Sequence, residues 1–439
     1  MSLIIGLTGD VSGSSEYNLV YGVRHNYANA SPILERTGNM SLHKSLPIQS
    51  KMRRCVVRDD GTVNYYLHPN NSDLKEDGTA ADLSGADGNV MVEIPDSYWY
   101  FHDDTVAKTY DIKSSLYPFP DCFLIPKRYV SAYWCTVNRN NNKAASVVNT
   151  TAAYRGCQNQ SEWDGTYRSA LGLPANAIGI PSIRTYTANI GSTWHCYDIT
   201  THQLIYWLYA VEYANLNWQD NYSSTLTAEG YHKGGLGSGV SNIAWNKWNT
   251  YNGHHSFIPC GFTNSLGNNS GVKTFTFSTE QANAYGTSYS VPVNSYRGIE
   301  IPFGYLWLPV EGYLGIGDGT YQSGYICRNI TKFASSITND YEFVGKQPKL
   351  DWNYGKDIIR NSRGDLFPTS NGGEASSNAY FCDVFCNAVS NGSVYELLAS
   401  GCASDYFYVG PAYLSSNYGF GTAIAHFGFR VISQKTNNV

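Results

Sequence analysis

"DITTHQLIYWLYAVEYANL" (residues 198–216) decides how this chain is read. Thr200 followed three residues later by Gln203 spells a capping box, and Leu204, Trp207, Leu208, Val211 and Ala214 recur at helical spacing along one face. A face this rich in aromatic and aliphatic bulk belongs to a core, so the stretch predicts a helix on which a sheet packs. A second, shorter helix is expected over "PSIRTYTANIG" (181–191).

Working outward, "CVVRDDGTVNYYLHP" (55–69) sets Asp60-Gly61 between alternating runs, and the Asp-Gly signal returns at Asp77 and Asp87. Two or three hairpins are expected there, which with the helix gives an α+β fold. Residues 220–295 are rich in Gly, Asn and Ser with scattered Tyr and Trp, and read as a loop-rich insertion without a core of its own. Residues 1–50 show few periodic signals and read as an N-terminal attachment or oligomerisation segment.

Aromatic residues make up 14% of the 439, with 36 Tyr and 10 Trp, whereas only 15% are charged. That much buriable surface excludes a disordered chain. Asn, Ser, Gly and Tyr are the residue types of binding loops, and also what a large irregular fold needs for its turns. A net charge of −5 without a basic stripe argues against a nucleic-acid partner. No run approaches the roughly 20 apolar residues of a membrane span. The start, "MSLIIGLTGDVSGSSEYNLVYG", lacks a basic region and a signal-peptide core, so synthesis in a cytoplasm and release by assembly or lysis are expected.

Ten cysteines are too few for a disulfide scaffold, and Cys382 and Cys386 in "YFCDVFC" lack the companions of a zinc site. They read as structural thiols, and no metal or cofactor is implied. Glu300 and Glu311 read as hydrogen-bonded structural acids, and "HH" at 254–255 as loop surface.

The end of the chain interleaves small and large residues. In "SGCASDYFYVGPAYLSSNYGFGTAIAHFGF" (400–429), Gly401, Ala403, Gly410, Gly419, Gly421, Ala423 and Ala425 look like fixed backbone positions. Between them stand Cys402, Ser404, Asp405, Tyr406, Tyr408, Tyr418, Thr422, Ile424 and His426. On strands of period two, these side chains would form an outward ligand-binding face.

"SYRGIEIPFGYLWLPVEG" (295–312) resembles the central segment of the C-type lectin fold as found in formylglycine-generating-enzyme-like domains, and "HFGFRV" (426–431) resembles that family's closing strand. Further segments, among them "YRGCQNQSEWDGTYRSALGLP" and "IPCGFTNSLGNNSG", are similar in order to lectin-fold proteins of phages of gut Bacteroides. The resemblance covers roughly 52–433 and implies one elaborated C-type lectin-like domain over 51–439, with long loop insertions and a ligand-binding region at 380–433.

What the resemblance implies is binding without catalysis. Many such proteins are similar to the variable proteins of diversity-generating retroelements, in which mutated template adenines turn AAC codons into a wide range of residues on the ligand-facing surface. Changing the first two bases of AAC never yields Lys, Glu, Gln, Met or Trp, and none of these occurs in 397–433. Ordinary loop composition around a buried closing strand gives the same gap.

Two readings from different classes follow. In one, the chain is a phage virion surface protein, a tail or head fibre or decoration, that binds a host receptor or glycan. In the other, it is purely architectural and contacts other virion subunits. Either way the N-terminal segment would attach it to other virion proteins, and a homo-oligomer, such as the trimer of many fibres, would add avidity. A formylglycine-generating type of enzyme would need an activated thiolate, and Cys327, Cys382 and Cys386 fall on no catalytic pattern. Calcium-dependent sugar binding lacks its "EPN", "QPD" and "WND" signatures.

Overall fold

The computed structural model describes residues 16–157, 170–286 and 290–435. The fold is mixed and mostly β, with about 35% of residues in strands and 14% in helices.

The long helix forms where the sequence places it, Ile199–Tyr213, but nearly all of its residues are buried, not one face alone. It is therefore a central helix, enclosed on every side. Trp207 meets Phe101 and Tyr110 at ring distances of 5.7 and 6.2 Å, while Tyr209 stacks on Trp218 at 3.8 Å. The expected Thr200–Gln203 capping box is absent. Asp198 caps instead, accepting from the Thr201 N–H at 2.7 Å, and the Gln203 amide donates to Asp365. At the other end Ala214 turns left-handed (φ 51°), and the Arg36 guanidinium donates to the Val211 and Glu212 carbonyls, neutralising the negative end of the helix.

Sheets surround this helix. A seven-stranded sheet runs Trp194–Cys196, Val431–Ser433, Arg128–Ser131, Asn89–Ile94, Arg53–Val57, Val63–His68, Asn71–Lys75. An eight-stranded sheet has Leu308–Gly317 and Val394–Ala399 at its middle, and all its ladders are antiparallel except Val384–Asn387 against Leu414–Ser416. The Asp60-Gly61 turn closes the first hairpin, with Thr62 N–H donating to the Asp60 carboxylate and Gly61 at φ 77°. Asp77-Gly78 closes a smaller one through the Leu74–Ala80 bridge, whereas Asp87-Gly88 leads into a central strand without forming a hairpin. The shorter helix spans Ile180–Ala188.

The 1–50 segment is not a separate arm over its described part. Tyr21–Asn26 pairs with both Glu35–Gly38 and Thr109–Ser115 in a five-stranded sheet, and Tyr21, Val23 and Ile48 are buried in the main core. Their apolar side chains bind the segment to the body. Residues 1–15 lie outside the described residues. Region 220–295 likewise joins the common core through Trp248, Phe257 and Val293, and carries an antiparallel pair, Gly271–Thr276 with Ser290–Tyr296, with the helix Thr279–Tyr285 between them in sequence. No helix among the described residues is long and apolar enough to cross a membrane.

Both structural acids stand as expected. Glu300 accepts from the Gly261 and Thr263 N–H groups and from the Thr263 hydroxyl, and Glu311 pairs with Arg184.

Candidate functional site

The C-terminal stretch does not form the alternating strands that the interleaving suggested. Strand ends at Ser416, and residues 417–430 run as a loop with isolated bridges Tyr395–Gly419 and Trp307–Phe427 before Val431–Ser433 rejoins the seven-stranded sheet. Which side chains face out is therefore set by how the loop is anchored.

Cys402 and His426 are corrected from contact residues to buried ones, at 1% and 8% exposure. The Cys402 N–H donates to the Asp405 carboxylate at 2.7 Å, and its thiol lies 3.3 Å from the Ser404 hydroxyl. This closes a tight turn under the loop, and burial pushes the Asp405 carboxyl up to about 6. The His426 ring is capped by Trp245, 5.0 Å away, and burial with the neighbouring His254 takes it down to about 3, so it is neutral. Ile424 is half-buried against the core, and Tyr418 packs edge-on against Phe427 at 5.2 Å. The Thr422 hydroxyl turns back to the Gly419 carbonyl.

Tyr406 and Tyr408 do reach solvent, 42% and 40% exposed. Tyr406 adopts φ 51° and donates its N–H to Ser241; Tyr408 donates its own to the Asp405 carbonyl. Two of the small residues have a steric reason. A Cβ on Gly410 would sit 2.2 Å from the Asp383 carboxylate, and Gly401 at φ 64° would press one into Tyr413 and Val409. Asp383 in turn accepts from the Ala412 N–H, so the 401–413 loop is held from beneath by this buried acid and by the half-buried Asp405.

Other aromatic residues flank these two tyrosines. The 241–243 segment, bonded to Ala403 and Tyr406, leads into the helix Trp245–Asn252, where Trp245 is 46% exposed and stacks on His254 at 3.8 Å. On the other flank Tyr354 meets Tyr408 at 5.5 Å, and Trp352, 52% exposed, leans on Tyr413 and Trp307. Sequence reasoning missed Trp245 and Trp352; a tryptophan in an Asn-rich polar stretch was the available signal.

His254-His255 is not plain loop surface. His255 is buried, with its Nε2 3.4 Å from the Cys157 thiol and its Nδ1 2.8 Å from the Asn176 amide nitrogen and 3.1 Å from its oxygen, while the Asn176 amide also donates to Ala425. Thiol, imidazole and amide thus stand in the order used by cysteine hydrolases. Cys157 and Asn176 are both 0% exposed, however, and the amide is spent on tying down the 417–426 loop. Cys122 is half-buried and the other cysteines are buried. Brief alkylation of the native protein, followed by mass spectrometry, should therefore label Cys122 first and Cys157 only after denaturation. Labelling of Cys157 at a comparable rate would instead mark an activated thiolate.

Among the described residues no group of three or more His, Cys, Asp or Glu could hold a metal ion. No protein-family model matches this chain, and no curated protein matches its sequence.

Proposed function

We propose that the chain is a non-enzymatic phage virion surface protein, a fibre or decoration built on an elaborated C-type lectin-like fold, that binds a host receptor or glycan through its C-terminal face. The observation that supports this reading most is the exposure of Tyr406 and Tyr408 on a loop tied down from beneath by Asp405 and Asp383. Large rings held toward solvent by a rigid base lose little entropy on contact, and they suit stacking on sugar rings as well as packing on protein. Trp245 and Trp352 extend the same aromatic supply on either flank.

The test is saturable binding of the purified protein to intact Bacteroides host cells. A Tyr406→Ala, Tyr408→Ala double variant should lose roughly 10- to 100-fold in affinity, the scale of removing one or two aromatic hot spots, with its thermal unfolding unchanged. Tyr418 is left intact because its ring supports Phe427. Equal binding by both proteins, or none by the wild type, would move the reading to the architectural role.

A further inference from the structure

A second surface lies away from the C-terminal loop. At the ends of the middle strands of the seven-stranded sheet, a cleft of about 580 Å³ is lined by Lys51, Arg53, Glu93, Asp96, Tyr117 and Lys127 among others. A second cleft, of about 370 Å³, shares Asp96 and Lys127 and adds Thr62, Tyr129 and Lys435. The two meet across that common wall, and each has the volume of an ordinary small-ligand site.

Its charges are organised from beneath. The Glu93 carboxylate accepts from the Lys127 ammonium and the Tyr66 hydroxyl, both at 2.9 Å, and lies 3.8 Å from the Arg53 guanidinium. Arg53 rests 3.4 Å above the Tyr66 ring, and the Lys127 ammonium is 5.3 Å from the Tyr129 ring centre. These two cations are held in place before any ligand arrives. Lys51 and Lys435 are exposed and have no salt-bridge partner among the described residues. The lining therefore carries four cations against two carboxylates, and although Glu76 lies 3.9 Å from Arg53, Lys51 and Lys435 stay without an ion-pair partner among the described residues.

We propose that this trough binds a saccharide bearing carboxylates, of the uronic or sialic acid class. Three features select that chemistry. Lys51 and Lys435, exposed and without a carboxylate partner, call for an anion. Asp96, exposed among these cations, is an acceptor, and a saccharide sets hydroxyl donors beside its acid groups. Tyr117, 56% exposed, with Pro95 and Pro126, gives apolar surface for a sugar ring. The proposal does not depend on the role of Tyr406 and Tyr408.

Calorimetric titration of the full chain with an oligogalacturonate and a sialyl-oligosaccharide tests it. Comparison ligands are a neutral cello-oligosaccharide, a sulfated oligosaccharide and hexaglutamate. One or both carboxylated sugars should bind, more weakly at 500 mM than at 50 mM salt, and the Lys51→Glu, Lys435→Glu double variant should lose at least about tenfold in affinity with unchanged thermal unfolding. The Tyr406→Ala, Tyr408→Ala protein should bind these sugars like the wild type, which separates this site from the C-terminal face. Absence of binding to both carboxylated sugars, equal affinity of the charge-reversed variant, or tighter binding of the sulfated sugar or hexaglutamate would overturn the proposal.

Discussion

Replacing Glu212 with alanine should lower the unfolding free energy by about 3–5 kcal/mol, the cost of stranding one member of a buried ion pair. Glu212 sits in the last turn of the central helix with no exposed side chain surface. Its carboxylate accepts from Arg297 Nε at 3.0 Å and Nη2 at 2.6 Å, and from the Tyr296 hydroxyl at 3.2 Å. The partner guanidinium is only 17% exposed and belongs to the turn between Ser290–Tyr296 and Ile299–Glu300. With alanine at 212, that charge keeps its burial and loses its acceptor, and the central helix loses its tie to this turn. Urea unfolding measures the effect, and Glu212→Gln, which keeps the volume and one acceptor, should cost less. A loss below about 1 kcal/mol would mean that Arg297 behaves as a surface cation.

The second large effect is stability lost with rising pH at one buried carboxyl. Glu396 is buried under the 417–426 loop, with one carboxyl oxygen accepting from the Gly421 N–H and the other lacking a partner. Burial pushes its carboxyl up from 4.5 to about 8. The folded protein therefore keeps a proton that the unfolded chain has released, and the stability this contributes is complete below about pH 4.5 and lost as pH rises through 8. Buried histidines act with the opposite sign. His25 and His202 are taken down to about 4 and His426 to about 3, so their contribution grows with pH and is complete once the unfolded imidazoles, near 6.5, are neutral. Half of the unfolded imidazoles are still protonated at pH 6.5, so this rise continues to about pH 7.5 and offsets the carboxyl's decline in the wild type. From pH 6.5 to 8 the wild type should therefore lose about 2 kcal/mol relative to Glu396→Gln, at the limiting slope of about 1.4 kcal/mol per pH unit. Burial raises Asp383 as well, which adds a decline of the same sign. Glu396→Gln should be the more stable protein at pH 8. Parallel profiles of wild type and variant across this window would refute the account.

The position of the central helix could be read locally, because a run such as Leu204–Leu208 with Tyr and Trp around it has one way to escape water. Its cap could not. Asp198 and Thr200 are both good capping residues, and only the extended backbone at 198 decides between them. Turn chemistry at Asp60-Gly61 was legible for a similar reason: the Asp side chain and the Gly backbone make the turn by themselves.

The binding surfaces were legible only in part. Small residues alternating with large ones describe a strand and a glycine-rich loop equally well, and left-handed backbone at Gly401 and Gly421 turned 400–430 into the second. That is why Cys402 and His426 point inward while Tyr406 and Tyr408 point out. Trp245 and Trp248 lie three apart on one short helix, yet one is 46% exposed and the other fully buried, a difference made by the Phe257 and His255 segment packed over Trp248. The charged trough was beyond reach of any local pattern. Lys51, Lys127 and Lys435 come together because Arg128–Ser131 pairs with both Asn89–Ile94 and Val431–Ser433 in one sheet. Local sequence dictated the elements through hydrophobic period and turn chemistry, which act over a few residues. Which side chains share a surface was left to strand pairing and burial across hundreds of residues, where the free energy depends on partners that no short stretch contains.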